Sequence, residues 1–327
     1  MKAVRIEEFG GPEVLRTAEI PAPEPGEDEV LVELRASGVN RADVLTRGGG
    51  YHAAGQPPIV PGFEGSGIVR ETGAAVTGVS VGDRVIAFGG RPGFYAEYVV
   101  VPQGHVVRMP EGLDWDAAAA LPVAPLSAWY CLRRLARLTS GETVLVRAAA
   151  SGVGDAAVQI SKHLGATVVA TAGSDEKVAW ALENGADEGI NHSSEDVLER
   201  TRKIAGEAGV EVVLDTVGGR SFGESLKLAG HGGRVVVLAN VALEESRIDT
   251  RDFYPKNVTI YGFQITNLIG RLGYDPRGDL GELADLAAEG ELEVHVDRVF
   301  PLEEAADAHR HVEARRNMGK VMIHPAG

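Results

Sequence analysis

The stretch Thr143-Val144-Leu145-Val146-Arg147-Ala148-Ala149-Ala150-Ser151-Gly152-Val153-Gly154 limits what this chain can fold into more than any other. An apolar strand runs into a turn of small residues, and a helical pattern extends from Gly154 to Leu164 with Val158, Ile160 and Leu164 on its apolar side. That order opens a β-α-β unit. The rhythm continues downstream: Thr167–Thr171, Glu211–Asp215, Arg234–Leu238 and Val258–Phe263 read as strands. Lys177–Asn184, Asp196–Ala205 and Phe222–Leu228 read as the helices between them. Continuously apolar strands alternating with helices predict a parallel sheet covered on both faces, a doubly wound α/β fold.

The first turn also carries chemistry. Small residues let a backbone approach a pyrophosphate, and a helix N-terminus offers N–H donors and a positive dipole end. Against the dinucleotide pattern Gly-x-Gly-x-x-Gly, Ala149 and Ser151 stand at the first two glycine positions and Gly154 keeps the third. A tight turn in an unrelated α/β protein would look similar; the β-α-β unit that follows favours the dinucleotide. Ala150, Ser151, Gly152 and Val153 are the candidate pyrophosphate contacts. Asp155 is expected to point outward, away from them.

An NAD site usually places Asp or Glu at the tip of the second strand, for the ribose 2′-hydroxyl. Here that strand ends Ala170-Thr171-Ala172-Gly173-Ser174, and Lys177 follows within a helical turn. Gly173, Ser174 and Lys177 would therefore receive the 2′-phosphate of NADPH. Ser174 also suits a plain helix cap, and Lys177 a solvated surface charge.

The first third is different in kind. Ala3–Ile6, Glu29–Leu34, Gly67–Arg70, Asp83–Ala87 and Ala96–Val101 are short strands punctuated by Gly and Pro, which suggests a barrel-like or sandwich unit. After residue 265, helical stretches at Leu280–Glu289 and Glu303–Ala314 are each followed by a strand-like run, at Val294–Phe300 and Lys320–Ile323. This tail leaves the β-α-β rhythm and is expected to return to the first domain. The 327 residues suit two domains: a catalytic domain of 1–122 plus 265–327 and a dinucleotide-binding domain of 123–264. The active site is expected in the cleft between them, outside the carboxyl ends of the parallel strands.

Charge excludes some partners. Acidic residues outnumber basic ones 47 to 32, and a net charge of −15 repels nucleic acid and anionic lipid. The apolar run Ala117–Leu132 contains Pro122 and Pro125 and falls short of the roughly 20 residues a bilayer needs, so it reads as core. The single cysteine, Cys131, lies in that run; it builds neither an internal disulfide nor a thiolate zinc site. With no signal-like segment at the N-terminus, a reducing cytoplasmic location is expected.

Further motifs recur in a fixed order: Gly38-Val39-Asn40-Arg41-Ala42-Asp43, Pro61-Gly62-Phe63-Glu64-Gly65-Ser66-Gly67, Val81-Gly82-Asp83-Arg84-Val85, Gly93-Phe94-Tyr95-Ala96-Glu97-Tyr98, Ala119-Ala120-Leu121-Pro122, then Gly185-Ala186-Asp187, Asp215-Thr216-Val217-Gly218-Gly219 and Gly319-Lys320-Val321. With the turn at 148–154, this set resembles the medium-chain dehydrogenase/reductase superfamily, and within it the quinone oxidoreductases related to zeta-crystallin. The resemblance covers essentially the whole chain. It implies a Rossmann cofactor domain, a GroES-like catalytic domain and a homodimer formed through edge strands of the cofactor domains.

The resemblance also bears on metal. Zinc relatives carry cysteine where Asn40 stands and histidine where Phe63 stands, and their four-cysteine lobe has no counterpart after Val85. A tetrahedral site lacks its donors, so no metal is expected. Alcohol oxidation needs a Lewis acid, whereas a quinone or conjugated enone spreads charge itself and is served by hydrogen-bond donors. The resemblance implies Asn40 and Tyr51 beside the nicotinamide. Tyr51, in the Gly-rich loop Arg47–His52, is expected to donate to the carbonyl oxygen, Asn40 to orient substrate or nicotinamide, and Asp43 to brace the loop. Asn40 also suits a turn, and Tyr51 a loop aromatic covering core. Ser127, Asn240, Phe263, Lys320 and His192 are implied near the cofactor. His192 replaces the tyrosine common in relatives and would make 2′-phosphate affinity pH-dependent near the ordinary histidine value of about 6.5. Asn317 stands where some relatives have arginine.

The expected reaction is hydride transfer from NADPH to a quinone or related α,β-unsaturated carbonyl compound. An enoyl-thioester reductase on the same fold is the alternative, with Arg41, Arg47 and Arg91 as candidates for a coenzyme A phosphate. A nucleotide-binding structural or RNA-binding protein is the remote one, and the charge opposes it.

Overall fold

The computed structural model describes residues 1–51 and 55–325. His52, at the end of the expected Gly-rich loop, lies outside the described residues. Two compact units emerge: residues 1–126 with those from 265 onward, and Ser127–Gln264.

The first unit is built on strands. β1 (Lys2–Arg5) and β2 (Arg16–Glu19) form an antiparallel ribbon. β3 (Glu29–Val39) runs into helix α1 (Arg41–Arg47). β4 (Glu64–Thr72), β5 (Arg84–Phe88), β6 (Tyr98–Pro102) and β7 (Val106–Arg108) follow. α2 (Trp115–Ala120) ends the first stretch, and α3 (Ala124–Trp129) begins in it and continues into the second unit at Ser127.

Alternation in β3 explains the core. Val30, Val32 and Leu34 face inward against Val69, Val85, Phe94 and Val101, and Ala36 packs on Ala119, Ala120 and Met322. Each buried Val or Leu contributes about 1.5–3 kcal/mol. The run Ala117–Leu132 is core, as its composition indicated: Ala118 through Leu121, Trp129, Cys131 and Leu132 are fully buried.

The second unit is the doubly wound sheet. Its elements are β8 (Thr143–Val146), α4 (Gly152–His163), β9 (Thr167–Ala172), α5 (Asp175–Glu183), β10 (Glu188–Asn191), α6 (Val197–Ala205), β11 (Val210–Asp215), α7 (Arg220–Leu228), β12 (Ala229–Val237) and β13 (Thr259–Gly262). The strands are parallel in the order β10-β9-β8-β11-β12-β13. Chain order thus reverses across β8, the topology of a dinucleotide fold. Sequence patterning did not mark β10, because Glu188 and Gly189 break its apolar run, nor the π-helical turn Tyr130–Leu135.

The tail adds α8 (Ile265–Leu272), α9 (Arg277–Ala288), β14 (Val296–Pro301), α10 (Ala305–Glu313) and β15 (Lys320–His324). It rejoins the first unit: β15 pairs antiparallel with β3, Val321 opposite Val39. The sheet order is β14-β15-β3-β4-β5-β7, with β6 also on β3. Among the described residues no helix is long and apolar enough to cross a membrane.

Candidate active site

In the second unit the small-residue turn is shaped for close approach. Ala148 takes a left-handed φ of 51°, a conformation an L-residue adopts at a cost of roughly 1–2 kcal/mol. Ser151 caps α4, its Oγ accepting from Gly154 N at 3.1 Å. Gly152 and Val153 form the first helical positions, and Ala150 is buried beneath the turn. A Cβ on Gly154 would lie 2.2 Å from the Ala148 carbonyl oxygen, so only glycine lets helix and strand meet there. Asp155 departs from expectation: it is buried in the first turn of α4, with the Gln159 amide donating to it at 3.1 Å. Its charge favours the helix N-terminus, which outweighs the pull of solvent.

The tips of β9 and β10 bring together four residues that the sequence singled out separately. Ser174 caps α5, accepting from Lys177 N at 3.3 Å. His192 N donates to Ala172 O at 3.0 Å, which sets the exposed His192 ring beside Gly173. Ser193 Oγ donates to Gly173 O at 2.9 Å and closes the corner. The nearest acid, Asp175, accepts from Asn191 Nδ2 at 2.7 Å.

The other cofactor candidates sit on the same unit. Asn240 follows β12, Nδ2 donating to Glu244 O and Oδ1 against Gly218. Phe263 follows β13, its ring 5.5 Å from that of Tyr130. Ser127 is buried on α3. The turn, Gly173, His192, Asn240 and Phe263 all follow the carboxyl ends of parallel strands.

The first unit holds a small apolar pocket lined by Ala42, Tyr51, Phe63, Phe88, Val123, Thr266 and their neighbours. The Tyr51 ring meets Phe63 edge-on at 5.4 Å, and its hydroxyl lies 3.4 Å from Thr266 Oγ1. Asn40 is not among the lining residues. It caps α1, is 9 % exposed, and belongs to a buried polar cluster instead.

That cluster has two branches. In one, Lys320 Nζ donates to Asn40 Oδ1 at 2.7 Å, Glu64 Oε1 at 2.6 Å and Val39 O at 3.4 Å. Asn40 Nδ2 donates to Glu64 Oε1 at 2.7 Å, and Val123 N to Glu64 Oε2 at 2.7 Å. Lys320 is thus placed at Asn40 with three donors engaged inside this unit.

In the other branch, Asp43 accepts from Asn40 N at 2.7 Å and Gly62 N at 3.1 Å, tying the start of α1 to the pocket wall. Tyr95 Oη donates to Asp43 at 3.3 Å and lies 3.1 Å from His309 Nε2. Arg47 Nη1 lies 3.3 Å from His309 Nδ1. An arginine only donates, so Nδ1 accepts, Nε2 carries the proton, and the bonds run Arg47 to His309 to Tyr95 to Asp43. Burial pushes the Asp43 carboxyl up to about 7. Burial, with Arg47 beside it, pushes His309 down to about 3.

Glu64, Tyr95, His309 and Thr266 were missed as site residues. Glu64 left one trace: a lone carboxylate among the glycines and apolar residues of Gly62–Ile68. Gly38 explains how it fits, since a Cβ there would meet the Glu64 carboxylate at 2.2 Å. Arg47 ion-pairs with Glu313 at 2.6 Å and is buried, so it does not serve as an exposed phosphate ligand. Among the described residues no three His, Cys, Asp or Glu side chains gather in a way that could hold a metal ion.

Residues 26–111 match the family model of the alcohol dehydrogenase GroES-like domain, and residues 152–288 that of the zinc-binding dehydrogenase. A quinone oxidoreductase of Pseudomonas aeruginosa is 35% identical over 99% of both chains. A rat quinone oxidoreductase is 34% identical over 99% of this chain and 97% of its own. The solved structure of Escherichia coli quinone oxidoreductase complexed with NADPH aligns at a TM-score of 0.91, with 30% identity over 99% of this chain and 100% of that one.

Proposed function

The chain belongs to the medium-chain dehydrogenase/reductase superfamily, in its quinone oxidoreductase branch, and from that premise we propose that this oxidoreductase reduces quinones or related α,β-unsaturated carbonyl compounds with NADPH and without zinc. The observation that carries the reading is the pocket in the first unit. Its walls are apolar, and the hydroxyls of Tyr51 and Thr266 are the polar groups that face each other in it. Walls of this kind suit a flat, uncharged ring with a conjugated carbonyl rather than a charged substrate, and the pocket, with a cavity volume of about 20 Å³, has to widen to admit such a ring.

The residues at the strand tips fit the cofactor. The amides of Gly152 and Val153 would hold a pyrophosphate at the start of α4, where the Ser151 amide is already given to Ala148 O at 2.9 Å. Ser174, Lys177 and His192 hold a 2′-phosphate at the corner where Asp175 is already engaged by Asn191. When bound, NADPH supplies the hydride. Tyr51 Oη donates a hydrogen bond to the carbonyl oxygen, where negative charge builds as the acceptor is reduced, and a proton from solvent water completes the product. Asp43 holds the start of α1 and the Gly62 backbone in register with that pocket.

Zinc independence has a physical basis beyond the missing cysteine and histidine. The Lys320 ammonium sits 2.7 Å from Asn40 Oδ1 and 2.6 Å from Glu64 Oε1, and a second cation there would be repelled. Exhaustive chelation is therefore expected to leave quinone turnover unchanged. Loss of activity restored by added zinc would overturn the metal-free reading. Quinones and simple enones are expected to outrun crotonyl thioesters; the reverse order would favour the thioester reductase.

A further inference from the structure

We infer that Lys320 and Glu64 together lock the side-chain amide of Asn40 in one of its two orientations, so that Asn40 offers the reacting carbonyl oxygen an N–H donor and never its own oxygen. This rests on a further proposal, that the amide of Asn40, which does not itself line the Tyr51 pocket but caps the helix whose Ala42 does, reaches the reactants. Donor and acceptor type fix the orientation. A lysine ammonium has three donors and accepts nothing, and a carboxylate accepts and donates nothing. Lys320 Nζ lies 2.7 Å from one end of the Asn40 amide and Glu64 Oε1 lies 2.7 Å from the other. Turning the amide over would set an N–H against the ammonium and an oxygen against the carboxylate. Both contacts would become repulsive in a buried place, where unmatched polar groups cost most.

The frame itself is held from every side. Glu64 Oε2 is fixed by Val123 N, the Lys320 ammonium also donates to Val39 O, and the Asn40 backbone is fixed by Asp43. One Nδ2 hydrogen of Asn40 goes to Glu64, and the other has no acceptor among the described residues. That second hydrogen is the group left for a ligand. The carboxylate pulls on the same nitrogen's other hydrogen, and the ammonium draws density through the amide oxygen. Lys320 is in this account a positioning residue for Asn40, not a ligand of the cofactor.

A donor that matters as charge develops on oxygen affects kcat more than KM. Lys320→Met is expected to lower kcat tenfold or more with KM for the quinone within about threefold, and Lys320→Arg, which still donates, to recover most of the loss. A folded Lys320→Met enzyme with wild-type kcat would overturn the inference. Asn40→Leu separates the layers: if it too keeps full activity, the proposed contact of Asn40 with the reactants falls; if it is inactive while Lys320→Met is fully active, the locking alone falls. Should Lys320→Met fail to fold, the wild-type protein gives the answer by nuclear magnetic resonance with 15N-asparagine, the Asn40 signals assigned by their loss in Asn40→Asp. The expected result is an unequal pair of Nδ2 protons, one exchanging with solvent at least tenfold more slowly than the other and the second shifting when quinone is added. Two protons that exchange alike, or neither responding to quinone, would contradict the lock.

Discussion

At the scale of the residue, two buried titrating groups oppose each other. Asp43 has a folded pKa raised to about 7, so its contribution to stability is full below its unfolded value of about 3.9 and is lost as pH rises through about 7. His309 has a folded pKa depressed to about 3, so its contribution is present above its unfolded value of about 6.5 and is lost as pH falls toward 3. Between about pH 4 and 6.5 the two slopes run against each other, and each hides the other. Asp43→Asn removes one of them. From pH 7 to pH 5, urea unfolding is expected to show wild type gaining about 2 kcal/mol relative to this variant. Parallel pH profiles would mean that Asp43 does not titrate in that range. Tyr51→Phe keeps the ring against Phe63 and removes the hydroxyl near Thr266. It is expected to lower kcat/KM for quinones by about tenfold or more with stability nearly unchanged, and an unchanged kcat/KM would remove Tyr51 from the chemistry. Asn40, Tyr51 and Asp43 stood out in the sequence because they lie in short local motifs. Their pairing did not show: Lys320, singled out only as a residue near the cofactor, is 280 residues from Asn40, and His309 is 262 from Arg47. Such pairs exist only once the tail has docked on β3.

At the scale of the element, the corner between β9 and β10 is the proposed place of cofactor choice. Ser174 and Lys177 could be read from the sequence, since both lie on the turn after β9. That His192 joins them follows from a strand that periodicity did not reveal, β10, whose residue Asn191 pairs with Ala172. A charge-assisted contact to phosphate is worth roughly 1.5–3 kcal/mol. Lys177→Ala is therefore expected to raise KM for NADPH by about ten- to a hundredfold and leave KM for NADH within about twofold, in steady-state rates. Equal effects on both cofactors would place the 2′-phosphate elsewhere. The long, strongly patterned strands and helices of the second unit were legible because their period is sustained. α1, α2 and α3 were not, because six or seven residues make less than two turns and leave no periodicity to read.

At the scale of the whole molecule, the doubly wound sheet leaves β13 at one edge, with Thr259 and Ile260 exposed. An unpaired apolar edge invites a second copy, and two such edges side by side would continue the sheet. Light scattering is expected to give twice the chain mass of 34.5 kDa, and charged substitution at Ile260 to return it toward the monomer. A monomer in the unaltered protein would rule this pairing out. Fold class and the tail's return to the first unit were both legible from the rhythm of strands and helices. The burial of Asp155 was not, because a helix N-terminus that favours an acid looks the same in sequence whether or not water reaches it. We propose that the corner at Ser174, Lys177 and His192 chooses the cofactor and that the Tyr51 pocket chooses the acceptor. The direct measurement is the rate of NADPH and of NADH oxidation, followed by absorbance, with the same quinone under the same conditions. The prediction is turnover with both and a kcat/KM at least tenfold higher for NADPH; equal values, or no oxidation of NADPH in a protein that binds it, would contradict the account.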